Sequence, residues 1–249
     1  MRITVLGGSG AWPVGGLPCT GHLVEHEGFR LVVDLGYAAL PQLMGRTAPE
    51  LIDAALFSHG HPDHCADLHP LLRARVLRAA PAPPLPLHAP PGSLHRVLAL
   101  DDPGTVDYAY RLHDFLPGSH FEVGPFQIET WSLPHFVPSA GLRLTAGGRV
   151  FAYTGDTGPA DDIAELARDA DLLVAEASYP EVVPPRSAAF LSSASQAGTD
   201  AARARVRRLV LTHLMHGSDP AACSRAARQA YAGPIDIAHP GLIIDLGPG

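Results

Sequence analysis

Within the segment Ser58-His59-Gly60-His61-Pro62-Asp63-His64, three imidazoles and a carboxylate fall in six consecutive positions. Neutral imidazole and carboxylate are good ligands for a borderline divalent ion such as Zn²⁺, and they also suit Mn²⁺ or Fe²⁺. Gly60 and Pro62 make the segment read as a loop, so its ligand directions are not tied to a helical period. His59 and His61 can then turn to one ion while Asp63 and His64 turn to another. Two such ions, about 3.5–4 Å apart, would ionise a bridging water and polarise the bond that it attacks. Phosphorus and carbonyl centres are equally suitable targets.

Three other places repeat the same arrangement of an apolar strand ending on a ligand-type residue. They are Leu133-Pro134-His135, Phe151-Ala152-Tyr153-Thr154-Gly155-Asp156 and Leu209-Val210-Leu211-Thr212-His213. Each alone reads as an ordinary polar strand end. Together with the first cluster they point to one shared site.

The elements that must position these residues can be read from periodicity. Residues 2–6, 21–27 and 29–34 alternate as strands, with Gly28 as a turn, and 54–58 is a short buried strand leading into the histidines. Segments 38–45 and 49–53 read as short helical pieces, and 65–78 as a helix. The proline-rich stretch 79–92 holds an expected edge strand at 85–88, and two short helices are expected at 93–100 and 105–114. A second strand block covers 121–123, 126–132, 140–145 and 149–154. Helices at 159–168, 194–205 and 219–231 then alternate with strands at 171–176 and 208–212, with an irregular stretch at 180–188. Strands at 235–238 and 242–246 close the chain. Two strand blocks, each followed by helices, predict an α/β architecture of two sheets packed face to face with helices outside. Residues 1–249 read as one domain.

Composition limits the function classes. The 249 residues are 46% hydrophobic and 17% charged, as in an ordinary globular protein, and no apolar run approaches the ~20 residues of a membrane span. A net charge of −7 argues against a protein built to grip a phosphate backbone. The cluster Arg203, Arg205, Arg207 and Arg208 reads as a solvated helix end. Three scattered cysteines, Cys19, Cys65 and Cys223, make no disulfide framework and suit the cytoplasm. All 18 basic residues are arginine and asparagine is absent, a composition expected of a high-GC, actinobacterial type of genome.

With His59-x-His61-x-Asp63-His64, His135, Asp156 and His213 in this order, the chain resembles the metallo-β-lactamase superfamily from Gly7 to His213. The resemblance implies an αββα sandwich and two divalent metal ions, most simply Zn²⁺. It implies His59, His61 and His135 on the first metal, Asp63, His64 and His213 on the second, and Asp156 as a bridge. Asp34 is implied to orient a ligand from behind. The opening Leu-Gly-Gly-Ser-Gly and Ala175-Glu176-Ala177-Ser178 are similar to the ribonuclease Z-like branch, whose small actinobacterial members include cyclic-nucleotide phosphodiesterases. Its Gly/Pro-rich tRNA-clamping arm is not visible, so tRNA is not the expected substrate. A homodimer is also implied.

Two positions depart from that branch. Leu191, followed by Ser192 and Ser193, stands where the branch has a histidine acting with the glutamate as a proton shuttle, and His239 replaces a C-terminal aspartate. Asp63 and Glu176 are the expected catalytic groups, but Glu176 lacks its partner. A general acid contributes roughly 10²–10⁴ in rate, and most where the leaving group is poor. The leading expectation is therefore a metal-dependent hydrolase using a metal-bridging hydroxide on a small-molecule ester, thioester, lactone or phosphodiester. A cyclic-nucleotide or other phosphodiesterase, a Lewis-acid lyase, cyclase or isomerase of secondary metabolism, and a non-catalytic metal-binding protein are the alternatives. Trp12, Phe136, Tyr179, Leu191, Met215 and His216 are the candidate substrate contacts.

Overall fold

The computed structural model describes residues 1–247. Strands β1 (Arg2–Gly7), β2 (Gly21–His26), β3 (Phe29–Leu35), β4 (Ala54–Leu56), β5 (Leu85–Ala89) and β6 (Tyr110–Asp114) form one sheet with the last strand, β14 (Ile243–Asp245), in the order β14-β1-β2-β3-β4-β5-β6. The second sheet runs β13-β12-β11-β10-β9-β8-β7. Its members are β7 (His120–Val123), β8 (Phe126–Leu133), β9 (Ser139–Ala146), β10 (Arg149–Tyr153), β11 (Leu172–Glu176), β12 (Leu209–Thr212) and β13 (Ile235–Ile237). Both sheets are mixed. Hairpins make antiparallel neighbours, and helical crossovers make the parallel pairs β3/β4, β10/β11 and β11/β12.

Side-chain alternation assigns each strand's residues to two different cores. In β3, Leu31 and Val33 face the second sheet, while Val32 faces the helices outside. In β11, Leu172 and Val174 point inward and Leu173 and Ala175 outward. The inward set meets Phe126, Ile128, Leu142, Leu144 and Phe151 to form the inter-sheet core. The first sheet is covered by α1 (Ala39–Met44), α3 (Leu68–Val76) and α4 (His95–Leu98), and the second by α6 (Ala194–Arg203) and α7 (Pro220–Arg228), with α5 (Asp162–Leu166) against β8 and β9. This is the expected αββα sandwich. Because helices cover both outer faces, β4, β11 and β12 are buried throughout and apolar except at their ends, Glu176 and Thr212.

Three local expectations change. Residues 105–114 are not a helix, because Tyr110–Asp114 pairs in parallel with β5 and becomes the sheet edge. The strand at 85–88 is therefore internal. Pro86 is tolerated there because pairing with β4 begins only at Leu87. The histidine segment is a loop only as far as His61. From Pro62 it turns into a short helix, α2 (Pro62–Cys65), with proline in the first turn, where a missing N–H costs nothing.

A candidate metal centre between the sheets

Every candidate ligand lies at the end of a strand or just beyond it, on one rim of the sandwich. β4 leads into His59 and His61, and α2 carries Asp63 and His64. His135, Asp156 and His213 follow β8, β10 and β12. The close approach of these segments needs small residues: a Cβ on Gly36 would lie 1.8 Å from the Asp63 carbonyl oxygen.

The side chains converge as two clusters, His59–His61–His135–Asp156 and Asp63–His64–Asp156–His213. In each, the donor atoms lie within 4.8 Å of one another. Asp156 belongs to both. His59, Asp63, His64, Asp156 and His213 are buried, and His61 and His135 form the more open side.

Hydrogen bonds behind the imidazoles determine which nitrogen faces inward. Asp34 accepts from the Ser58 amide at 2.8 Å, the Ser58 hydroxyl at 2.7 Å, Tyr153 Oη at 2.8 Å and His64 Nδ1 at 2.8 Å. Having donated to Asp34, the Ser58 hydroxyl can accept from His59 Nδ1 at 3.0 Å. The Phe190 carbonyl accepts from His135 Nδ1 at 2.9 Å, and Ser178 Oγ accepts from His213 Nδ1 at 3.0 Å. In their neutral form these four rings therefore carry their proton on Nδ1 and turn the Nε2 lone pair into the site. His61 differs. Its Nδ1 faces inward, 3.2 Å from His59 Nε2 and 3.0 Å from His135 Nε2.

This donor set fits a cation. Around His61 Nδ1, three ring nitrogens meet with at most one proton among them, so at least one close pair is lone pair against lone pair. In the other cluster, His64 Nε2 and Asp156 Oδ1 lie 3.1 Å apart, buried, and neither makes a hydrogen bond. Burial alone would raise the Asp156 carboxyl, but His213 and His64 outweigh it and hold the group well below the usual carboxylate range. A buried carboxylate stays ionised only where positive charge is at hand. Here it is supplied either by these two rings when protonated on Nε2 or by a bound cation in the place of those protons.

Glu176 stands elsewhere. It is buried behind His213, accepting from the Thr157 amide at 2.5 Å and from Ser178 Oγ at 2.7 Å. Burial, reinforced by Asp156, pushes its carboxyl up to about 8. Its Oε1 lies 3.9 Å from His213 Nδ1, the nitrogen turned away from the cluster. The expected catalytic role of Glu176 is thus not matched by an approach to the open side. Ser58, Tyr153, Ser178 and the Phe190 carbonyl escaped the sequence reading. Only Ser178, two residues past Glu176, carried a visible signal.

The candidate substrate contacts separate. Trp12 and His216 are exposed, with ring centroids 6.2 Å apart, on the side where the Ala11 amide donates to Asp63 Oδ2 at 2.8 Å. Met215 is half-buried beside them. Phe136 sits on the opposite side, 5.3 Å from the His135 ring and 4.7 Å from Phe190. Leu191 is buried, and Tyr179 is half-buried, pairing with Ser193 in an isolated bridge. An apolar cavity that reaches the site at His61 is lined by none of the six, while Met215 and His216 line a smaller one.

Residues 30–214 match the family described as the beta-lactamase superfamily domain. The chain is 29% identical over 250 residues to the probable metallo-hydrolase YhfI of Bacillus subtilis, covering 98% of this chain and 99% of YhfI. The crystal structure of YhfI superposes with a TM-score of 0.90 at 27% identity, covering 98% of each chain. A ribonuclease Z of Myxococcus xanthus is 24% identical over 302 residues, covering 99% of this chain and 98% of that protein. With the αββα fold and its two His/Asp clusters, these matches make the chain a metal-dependent hydrolase of the β-lactamase superfamily.

Proposed function

We propose that the chain is a dinuclear hydrolase of a small-molecule ester, thioester, lactone or phosphodiester, with zinc as its ordinary metal. The observation that carries this reading is Asp156, whose carboxylate is common to both ligand clusters. Bound ions would supply Lewis acidity and an ionised water as nucleophile. The chain's own residues do the positioning: Asp34, Ser58, Ser178 and the Phe190 carbonyl aim the imidazoles, and the Ala11 amide holds Asp63.

Protonation of the leaving group narrows the substrate. Leu191 offers no proton, and Glu176, whose raised carboxyl keeps its proton near neutral pH, is buried behind His213 and away from the open side. That supports substrates whose leaving group departs unaided, such as a thiolate, an enolate or a lactone alkoxide relieved of ring strain. A second reading, phosphodiester hydrolysis, is favoured by the sequence match to ribonuclease Z. Transfer RNA fits poorly. The cluster Arg203, Arg205, Arg207 and Arg208 is neutralised by Asp161, Asp169, Asp171 and Asp236. All three cysteines are buried and unpaired, which supports a reducing compartment such as the cytoplasm.

Turnover of a lactone and thioester panel, cyclic AMP and a tRNA precursor should be compared on zinc-loaded protein. Lactone or thioester hydrolysis is expected to dominate. Efficient tRNA cleavage would overturn the reading.

A further inference from the structure

A cavity of about 660 Å³ opens beside His61, one of the two less buried imidazoles of the first cluster. Tyr37, Val97, Leu100 and Val137 give it an apolar wall. Arg96 is the one arginine in that wall, is exposed, and makes no ion pair among the described residues. No aspartate or glutamate lines the cavity among the described residues. A mostly apolar cleft of this size with one unopposed cation is suited to a small amphipathic anion.

We infer that this cavity binds the non-reacting part of the substrate, an apolar body ending in a carboxylate or phosphate that pairs with Arg96. The inference rests on the hydrolase reading for the reacting end, which lies at His61 and the clusters beyond it. Binding of the remote anion fixes the orientation of the scissile bond, so its loss acts mainly on KM. The cavity also explains why the sequence-derived contacts missed the pocket. Its wall comes from the histidine segment itself, from the loop after β3, from α4 and its flanks, and from the loop after β8, where Val137 and Pro138 follow His135 and are not of ligand type.

The test uses two fluorescent probes of similar apolar body on metal-replete protein: anilinonaphthalene sulfonate, which is anionic, and neutral N-phenylnaphthylamine. Arg96→Gln should weaken the sulfonate about tenfold and leave the neutral probe unchanged, with Arg96→Lys between. Leu100→Trp, which fills the cavity from an exposed position, should weaken both probes. Sulfonate affinity unchanged in Arg96→Gln, or both probes unaffected by Leu100→Trp, would overturn the inference. Displacement of the sulfonate by hexanoate or by hexyl phosphate identifies the preferred anion, and displacement by neither counts against the site. Nitrophenyl esters with and without a terminal carboxylate separate the two readings. Arg96→Gln should raise KM for the charged ester about tenfold with kcat little changed. Probe binding as expected with no ester turnover leaves the cavity standing and removes the hydrolase reading. Turnover with neither KM nor probe binding responding to Arg96→Gln does the reverse.

Discussion

Ser178 Oγ stands between Glu176 and His213, 2.7 Å from Glu176 Oε1 and 3.0 Å from His213 Nδ1. The hydroxyl donates to the carboxylate and accepts from the imidazole, so a buried glutamate sets the tautomer of His213 through an intervening serine. Groups that orient a metal-binding histidine in this way typically contribute 10–100-fold to metal affinity. Ser178→Ala is therefore expected to weaken binding of the ion at the His213 cluster roughly tenfold, read by competition with a chelator. Unaltered chelator competition would show that the hydroxyl plays no such part.

Asp156 and His61 should differ in how many ions they hold. His61 lies in one cluster and Asp156 in both. After dialysis, His61→Ala should retain about half the metal of the parent protein, and Asp156→Asn should lose most of it. Metal analysis of the two purified variants makes the comparison. Equal retention would break the shared-carboxylate reading.

Asp34 gathers four donors at a fully buried position. Tyr153→Phe removes one donor and leaves the carboxylate three, so it should cost about 1–2 kcal/mol. Asp34→Ala strands the Ser58, Tyr153 and His64 donors together and should cost about 3–5 kcal/mol. Urea unfolding of the two variants reads the difference, and a Tyr153→Phe loss equal to that of Asp34→Ala would contradict it.

Asp200, on the inner face of α6, tests electrostatics away from the metal centre. Burial pushes its carboxyl up from 3.8 to about 6, against the opposing effects of Gln196 and Arg203. With the folded value above the unfolded one, folding takes up a proton in this window, and stability falls as the pH rises from about 4 to about 6. Asp200→Asn should remove that slope and add about 1–2 kcal/mol at pH 7. Thermal unfolding from pH 4 to 8 checks both, and a mutant with the parent's slope would be the contrary result.

Much of the frame was legible along the chain. The alternation in 29–34 and the apolar runs before His59, Asp156 and His213 mark strands because a strand in a covered sheet must bury both faces. Residues 105–114 misled because Val106, Ala109 and Tyr110 fall at helical spacing, and only pairing with β5 makes Tyr110–Asp114 a strand. The supposed edge at 85–88 moved inward for the same reason: edge and interior differ by a partner about 25 residues away, not by local pattern.

By itself the sequence determined the supply of ligands, because residue type dictates coordination chemistry and the spacing within 59–64 keeps four of those groups together. It also determined that Leu191 cannot donate a proton. Only the tertiary structure decided which imidazole nitrogen faces inward, because the deciding partners are remote: Tyr153 reaches Asp34 across 119 positions, and the Phe190 carbonyl reaches His135 across 55. It likewise decided that Glu176 stands behind His213, and that Arg96 lines a cavity opening at His61. A side chain's type is local to the chain, while its direction depends on whatever packs against it.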